Sequence, residues 1–415
     1  MNISKLFSNI FSRAKVSKAI ASLSLFAIVA FPLASSASAQ IAVRGETVWT
    51  MTGEPITNGV VLVKDGKIEA VGTAAQVRIP DGYRIVNAKV VTPGLIDAHT
   101  VIGLNGYLNQ PHDQMALDGG ASIQPELRAI DAYNAEEKLV EWVRSLGVTT
   151  IHTGHQPSAL VSGQTMIAKT TGKNVDQATV SPLAMVAVTL GQAGLGGQGR
   201  SPGTRAKQAS MLRAELIKAQ EASKKSEPST DLKTEIMVRV VKREVPLLVT
   251  AEKAQDIITA LRIAKEFNIR IVLDGASDAP LVLSEIKAAG VSVILHPTMA
   301  RPGGDRENLA MTTAKTLKDA GILFAIQSGY EGYVPKTRVV LFEAAMAANA
   351  GLGKRDALAS ITIDAARIIG LDSRIGSLAV GKDADIAMYD GDPFEYTTKC
   401  IGTMINGRIV SEEAR

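Results

Sequence analysis

The sequence has five histidines, whose side chains titrate near neutral pH and are common metal ligands. Four of them lie close together in the chain, on two predicted strands or in the loops just after them. The carboxyl ends of neighbouring parallel strands lie at the same edge of a sheet, so the fold would bring these four together. The five are His99, His112, His152, His155 and His296.

This clustering raises the hypothesis of a single divalent metal site, with zinc as the typical ion. Such a site needs three or four donors at fixed geometry. His99, His152 and His155 would supply three of them, with His112 or Asp113 as a further ligand. The alternative is that these histidines are hydrogen-bonded residues that line a pocket and hold no metal.

A second set of residues predicts acid–base chemistry without a metal. Glu252, Asp274 and His296 follow three successive predicted strands, where a carboxylate and an imidazole could exchange protons with a substrate. Burial would raise the pKa of the carboxyl groups and suit them to this role. Structural polar residues are the alternative. There is no Gly-x-Ser-x-Gly motif, and Cys400 lies in a terminal β-rich region, so covalent catalysis has no candidate.

The elements that must position these residues alternate between helices and short β-branched runs. Helices are predicted at 136–145, 211–225, 254–267, 281–289 and 313–319, and strands at 149–152, 245–249, 269–273, 291–295 and 322–326. This alternation is typical of parallel βα units. With about 270 residues available, a (β/α)8 barrel is favoured over an open sheet. The glycine-rich segment 191–205 is predicted to be a loop over its mouth.

Both ends of the chain are β-rich and carry turn signals. Asp65-Gly66 and Asn406-Gly407 each separate two apolar runs, which predicts hairpins. We therefore expect the two ends to pair into one small β-sandwich, with the barrel inserted between them. The predicted organisation is a signal peptide at 1–39, a first sandwich part at 40–91, the barrel at 92–368 and a second sandwich part at 369–415.

Residues 1–39 have the layout of a cleaved secretory signal peptide, with a basic region, an apolar run and Ala37-Ser38-Ala39 before Gln40. They contain four of the 45 basic residues and none of the 41 acidic ones, so the remainder is formally neutral. A protein without net charge has no overall electrostatic field that would attract nucleic acid or an anionic membrane. We predict a periplasmic or secreted protein with no stable membrane insertion after cleavage, and its single cysteine excludes an internal disulfide.

The sequence resembles the amidohydrolase superfamily, specifically its secreted, imidazolonepropionase-like branch. The resemblance rests on Val-Thr-Pro-Gly-Leu-Ile-Asp-Ala-His at 91–99 and on Gly-Lys-Asp-Ala-Asp-Ile at 381–386. Further similar stretches lie at 125–131, 147–150, 200–205, 361–367 and 376–378. The resemblance implies a (β/α)8 barrel with a split β-sandwich, and hydrolysis of non-peptide carbon–nitrogen bonds in an amide or cyclic amide.

The resemblance also implies metal ligands that this sequence lacks at most positions. The first strand should end in His-x-His, yet Val101 stands in place of the second imidazole after His99. Glu252 and Asp274 stand near positions where histidines are expected, and Gln327 where an aspartate is expected. Valine has no donor atom, so the standard two-metal centre cannot form.

Two functions follow from this reading. The first is a hydrolase acting on carbon–nitrogen bonds of a small amide or cyclic amide, with a depleted metal centre. The second is a catalytically silent homologue that binds a ligand or serves as an assembly subunit, with an oligomer or an active homologue as its partner.

Overall fold

The mixed α/β class predicted from the sequence is confirmed. The computed structural model describes residues 40–414 with the exception of residues 109, 198, 228 and 331–338. The predicted signal peptide therefore lies outside the described residues. Within them, no helix is both long and apolar enough to cross a membrane.

The strands fall into three sheets. The strands in the middle of the chain form two of these sheets, and they supply the candidate site. In chain order they are β1 (Ile41–Val48), β2 (Ile56–Lys64), β3 (Lys67–Thr73), β4 (Arg84–Pro93), β5 (Leu95–Thr100), β6 (Val148–Thr153), β7 (Val161–Gln164), β8 (Met166–Lys169), β9 (Thr179–Ser181), β10 (Val186–Thr189), β11 (Leu247–Ala251), β12 (Ile271–Gly275), β13 (Val293–Leu295), β14 (Phe324–Ile326), β15 (Ile386–Tyr389), β16 (Cys400–Ile405) and β17 (Arg408–Ser411).

Five of the described helices lie where helices were predicted, with bounds that differ by at most six residues, and the other five were not predicted. They are α1 (Lys138–Ser145), α2 (Val175–Ala178), α3 (Arg205–Ser223), α4 (Leu232–Val241), α5 (Ala254–Phe267), α6 (Leu283–Ala289), α7 (Thr313–Asp319), α8 (Val340–Ala347), α9 (Lys354–Ser360) and α10 (Ile363–Ile368). Helix α3 begins six residues before the predicted position because Thr204 caps it, accepting a hydrogen bond from the Lys207 amide. Residues 191–197 and 199–204 form the predicted loop, apart from one helical turn at Gln192–Gly194.

The two ends of the chain share the first sheet, whose seven strands run in the order β17-β16-β15-β4-β1-β2-β3. Both predicted hairpin turns are present. Asp65 and Gly66 have φ angles of 52° and 78°, and Asn406 and Gly407 have 50° and 73°. Left-handed conformations at both central residues match the twist of the flanking strands, which is why Asp-Gly and Asn-Gly occupy these turns. The junction of the two ends is the antiparallel pair β4–β15.

Most of the remaining strands run parallel, and from β10 to β14 each strand is separated from the next by at least one helix. The second sheet has the order β14-β13-β12-β11-β10-β7 and the third β5-β6-β8-β9. A parallel bridge between Thr100 and Gly329 connects β5 to the end of β14. Strands β7 and β8, however, run antiparallel to β10 and β6. These pairings do not establish a ring of eight parallel strands, so the barrel remains a prediction, as does the sandwich.

One buried cluster lies among these strands and takes an apolar side chain from each of several of them. Its members include Ile96, Ile167, Leu248, Val272, Ile294 and Ala325, together with Ala365 and Ala366 of α10. A shared interior of this kind fixes the strands relative to one another. The polar side chains at their carboxyl ends are consequently held at defined positions.

Candidate functional site at the carboxyl ends of the strands

Asp274, in β12, is the centre of a buried hydrogen-bond network. Its Oδ1 accepts hydrogen bonds from Nδ1 of His99 at 2.9 Å and from Nε2 of Gln327 at 2.8 Å. Its Oδ2 accepts one from the Thr250 hydroxyl at 2.6 Å. All four side chains are buried. The network joins residues of β5, β11 and β12 to the residue just after β14.

Asp274 is ionised in this network. Burial alone would raise the pKa of Asp274, but attraction by His99 and the hydrogen bonds from His99, Thr250 and Gln327 outweigh it and hold the pKa below its usual range. An ionised carboxylate can only accept, so Nδ1 of His99 is the donor of the hydrogen bond that joins them. Nε2 of His99 is buried and has no hydrogen-bond partner among the described residues.

His152 lies beside His99, with their ring centroids 5.7 Å apart. Both nitrogens of His152 are already bonded, Nδ1 to the Ala98 carbonyl at 2.7 Å and Nε2 to the Thr165 hydroxyl at 2.6 Å. Burial lowers the pKa of His152 to about 3, so the ring is neutral. In this arrangement His152 connects β5 to the chain between β7 and β8, and neither nitrogen is available to a metal.

His155 is buried against the backbone of Gly163. A Cβ atom at Gly163 would come 2.5 Å from Nε2 of His155, and the φ angle of this glycine is 140°. The candidate ligand His112 is exposed, and Oδ1 of Asp113 accepts a hydrogen bond from Gln114. Across the described part of the chain, no three histidine, cysteine, aspartate or glutamate side chains are grouped so that they could hold a metal ion.

Glu252, the residue after β11, lines a cavity of about 360 Å³ with Thr250, Gln156, Arg306 and Tyr330. Tyr330 connects this cavity to the network, because its ring centroid is 5.7 Å from that of His99. Glu252 lies in the short connection between the end of β11 and Lys253, the residue that precedes the first turn of α5. The cavity is large enough for a small organic ligand.

The carboxyl group of Glu252 is held by one residue. Its Oε2 accepts hydrogen bonds from the Ser277 amide at 3.0 Å and the Ser277 hydroxyl at 2.6 Å. Among the residues described, none donates a hydrogen bond to Oε1. Burial raises the pKa of Glu252 to about 7, and the bonds from Ser277 offset only part of that effect. Glu252 can therefore take up or release a proton near neutral pH.

One wall of the cavity is the loop at 303–306, which is tied to the start of α3. Nε of Arg205 contacts both carboxylate oxygens of Asp256 at 2.9 and 3.1 Å, and Nη2 contacts Asp305 at 3.3 Å. Asp305 also accepts a hydrogen bond from the Gln192 amide at 2.7 Å. These contacts fix the loop that carries Arg306, whose positive charge lowers the pKa of both Glu252 and His296.

The three residues predicted for metal-free chemistry lie near one another but in different surroundings. Glu252 lines the cavity, and Asp274 is buried in the network. His296 is also buried; its Nδ1 bonds to the Pro297 carbonyl at 2.9 Å, and burial lowers its pKa to about 4. The acid–base role of this set remains a prediction, and Glu252 is the member placed to meet a ligand.

Sequence reasoning did not select Ser277, Arg306 or Tyr330. Ser277 belongs to a turn with φ angles of 76° at Gly275 and 53° at Ala276, and the Asp-Gly pair at 274–275 was the available signal for it. Arg306 and Tyr330 lie in loops, where the sequence offers no periodicity from which to infer a direction.

The family assignment follows from a comparison with known families. The Amidohydro_3 model, described as an amidohydrolase family, matches residues 102–411. The chain belongs to the amidohydrolase family. Imidazolonepropionases from Shewanella sp. strains MR-4 and ANA-3 are each 23% identical to it over 391 residues, covering 81% of this chain and 87% of theirs. The predicted resemblance to the imidazolonepropionase-like branch is confirmed.

Solved amidohydrolase structures share this fold. An amidohydrolase from Thermotoga maritima MSB8 superimposes with a TM-score of 0.85 at 27% identity, covering 90% of this chain and 100% of that one. Molinate hydrolase gives 0.57 at 16% identity over 90% and 95%. An adenosine deaminase from Xanthomonas campestris with bound zinc gives 0.54 at 15% over 89% and 92%. The last two matches show similarity of fold alone.

Amidohydrolases commonly use divalent metals, but the residues present here do not fit such an ion. Val101 is packed in the hydrophobic core, and both nitrogens of His152 are bonded to protein oxygens. The charge of Asp274 is balanced by three side-chain donors.

Proposed function

We propose that this amidohydrolase hydrolyses a carbon–nitrogen bond in a small amide or cyclic amide, with a depleted metal centre and with Glu252 as the acid–base residue. The observation that carries the proposal is Glu252 itself. It is a carboxyl group in the wall of a cavity, held through Oε2 by Ser277, with a pKa of about 7. Catalytic acids and bases are tuned toward the working pH in this way.

The reaction needs proton transfer in two directions. Ionised Glu252 removes a proton from water as the water oxygen bonds to the carbonyl carbon of the substrate. The protonated carboxyl group then gives this proton to the nitrogen as the carbon–nitrogen bond breaks, which releases an acid and an amine. Arg306 lines the same cavity and would stabilise the negative charge that develops on the carbonyl oxygen.

Screening small amides against the purified protein tests the proposal. Imidazolone-type cyclic amides come first because the matched relatives are named imidazolonepropionases. Replacing Glu252 by Gln keeps the shape but removes the titratable group, so kcat/KM should fall by about 10²–10⁴-fold. The matched control is Glu266→Gln, an ion-paired glutamate near the end of α5. Equal activity in the two variants would contradict the role of Glu252.

A second function is favoured by a different observation. The network around Asp274 satisfies a buried carboxylate entirely with protein donors, as a structural site would. We infer from it the alternative of a silent homologue that binds an amide ligand in the cavity or acts as an assembly subunit with an active homologue. Ligand binding that survives in Glu252→Gln, with no turnover by the unsubstituted protein, would support this alternative.

Two further parts of the proposal concern architecture and location. We propose that the parallel strands form the (β/α)8 barrel of the superfamily and that the terminal sheet is part of its split β-sandwich, which the structural neighbours support. We also propose export to the periplasm or medium, supported by the composition of residues 1–39. Sequencing the amino terminus of the exported protein tests this, and an intact Met1 would contradict it.

A further inference from the structure

Gln327 stands directly after β14 and is completely buried. Its Nε2 donates to Oδ1 of Asp274 at 2.8 Å and to the Ile294 carbonyl at 3.3 Å. The ionised carboxylate and the peptide carbonyl can only accept hydrogen bonds, so the amide must present its nitrogen to them. This orientation turns Oε1 of Gln327 away from these acceptors, and it has no hydrogen-bond partner among the residues that the structure describes.

Gln327 and His99 meet on the same oxygen of Asp274. The three distances in the network are 2.9, 2.8 and 2.6 Å, which are normal for donors to a charged acceptor. A buried carboxylate is tolerated in a protein only when charges or donors balance it. In this chain the balance comes from an imidazole, an amide and a hydroxyl.

We propose that Gln327 takes the place of a metal at this site: the N–H group of its neutral amide bonds to ionised Asp274, which helps the carboxylate to be buried without a metal, and position 327 adds no second carboxylate that would attract one. This inference rests on the proposed function, because it explains how the depleted metal centre stays without a metal. It predicts that the unsubstituted protein excludes divalent metals, and that a single change of amide to carboxylate at position 327 creates a need for a cation.

Gln327→Glu is the test variant because glutamate has the shape of glutamine and places a second carboxylate next to Asp274. The like charges repel each other, so the variant should melt at a lower temperature than the unsubstituted protein in the presence of chelator. Zn²⁺ or Mn²⁺ would bind between the carboxylates and raise its melting temperature in a dose-dependent manner, by on the order of 5 °C at saturation.

Gln327→Met is the matched control, since it has a similar length but neither charge nor donor. It should lose stability without responding to metal. The unsubstituted protein should melt at the same temperature with chelator and with Zn²⁺. Mass spectrometry of protein purified without chelator should find less than about 0.1 metal ion per chain, against about one for an occupied site.

The proposal is overturned if the unsubstituted protein holds about one metal ion per chain, or if chelator lowers its melting temperature. It is also overturned if folded Gln327→Glu responds to metal no more than Gln327→Met. If Gln327→Glu does not fold, the unsubstituted protein alone decides the question through its metal content. Failure of the hydrolytic function would be seen separately, as absence of turnover in a protein that still excludes metal.

Discussion

Glu252 and Asp274 are carboxyl groups at the ends of the neighbouring strands β11 and β12. Their surroundings shift their pKa values in opposite directions. Burial raises the pKa of Glu252 to about 7, and the hydrogen bonds from Ser277 offset only part of this rise. Asp274 is buried more deeply, but attraction by His99 and the hydrogen bonds from His99, Thr250 and Gln327 keep the pKa of Asp274 below its usual range. Such a separation is how a protein obtains a proton-exchanging group and a fixed charge from two similar residues.

The raised pKa of Glu252 predicts how stability depends on pH. In the unfolded chain a glutamate titrates near 4.3, and in the folded protein Glu252 titrates at about 7. Between these values the folded state holds the extra proton. The contribution of Glu252 is therefore fully present below about pH 4.3 and is lost as the pH rises to about 7. The loss would be up to about 4 kcal/mol.

Urea unfolding at several pH values would measure this loss as a difference between the unsubstituted protein and Glu252→Gln. The free energy of unfolding of the unsubstituted protein should fall relative to the variant from about pH 4.3 to 7 and then run parallel to it. Buried His152 and His296 also titrate below neutrality, but they affect both proteins equally. Glu266→Gln should show no such change, and a flat difference for Glu252→Gln would refute the raised pKa.

At the scale of elements, the sequence predicts what local chemistry determines. Helix α5 was predicted at its observed bounds because an apolar stripe of helical period runs from its first turn to Phe267. The turns at Asp65-Gly66 and Asn406-Gly407 followed from residues that tolerate left-handed conformations. The antiparallel direction of β7 and β8 could not be predicted, since strand direction depends on contacts distant in sequence.

The candidate site could likewise be predicted only where the local sequence determines it. Three residues on strands or directly after one could be named in advance because strand ends meet at one edge of a sheet, namely His99, Asp274 and Glu252. Their pairing could not be predicted: one hypothesis from the sequence places His99 with His152 and His155 around a metal, and the alternative makes them hydrogen-bonded residues lining a pocket. The contact between His99 and Asp274 depends on how β5 and β12 are placed in the folded protein. The position of Arg306 depends on contacts between segments distant in sequence, such as the one between Arg205 and Asp305.

At the scale of the whole molecule, a buried charge cluster connects the terminal sheet to the strands around the site. Lys169, at the end of β8, pairs with Asp385 and lies 3.5 Å from Asp383. Asp383 also pairs with exposed Lys67 at 2.7 Å and with Arg374 at 2.8 Å. The cluster therefore links the middle of the chain to the segment that leads into β15.

Lys169→Met should destabilise the protein by about 3–5 kcal/mol, because it leaves Asp385 buried without its cation. Lys67→Met removes a cation from the same cluster, but its side chain is 51% exposed, so the expected cost is only about 0–1 kcal/mol. Urea unfolding of both variants measures the difference. Replacing Asp385 by Leu in the Lys169→Met background should recover part of the loss, whereas equal costs for Lys169→Met and Lys67→Met would show that the buried pair does not hold these parts together.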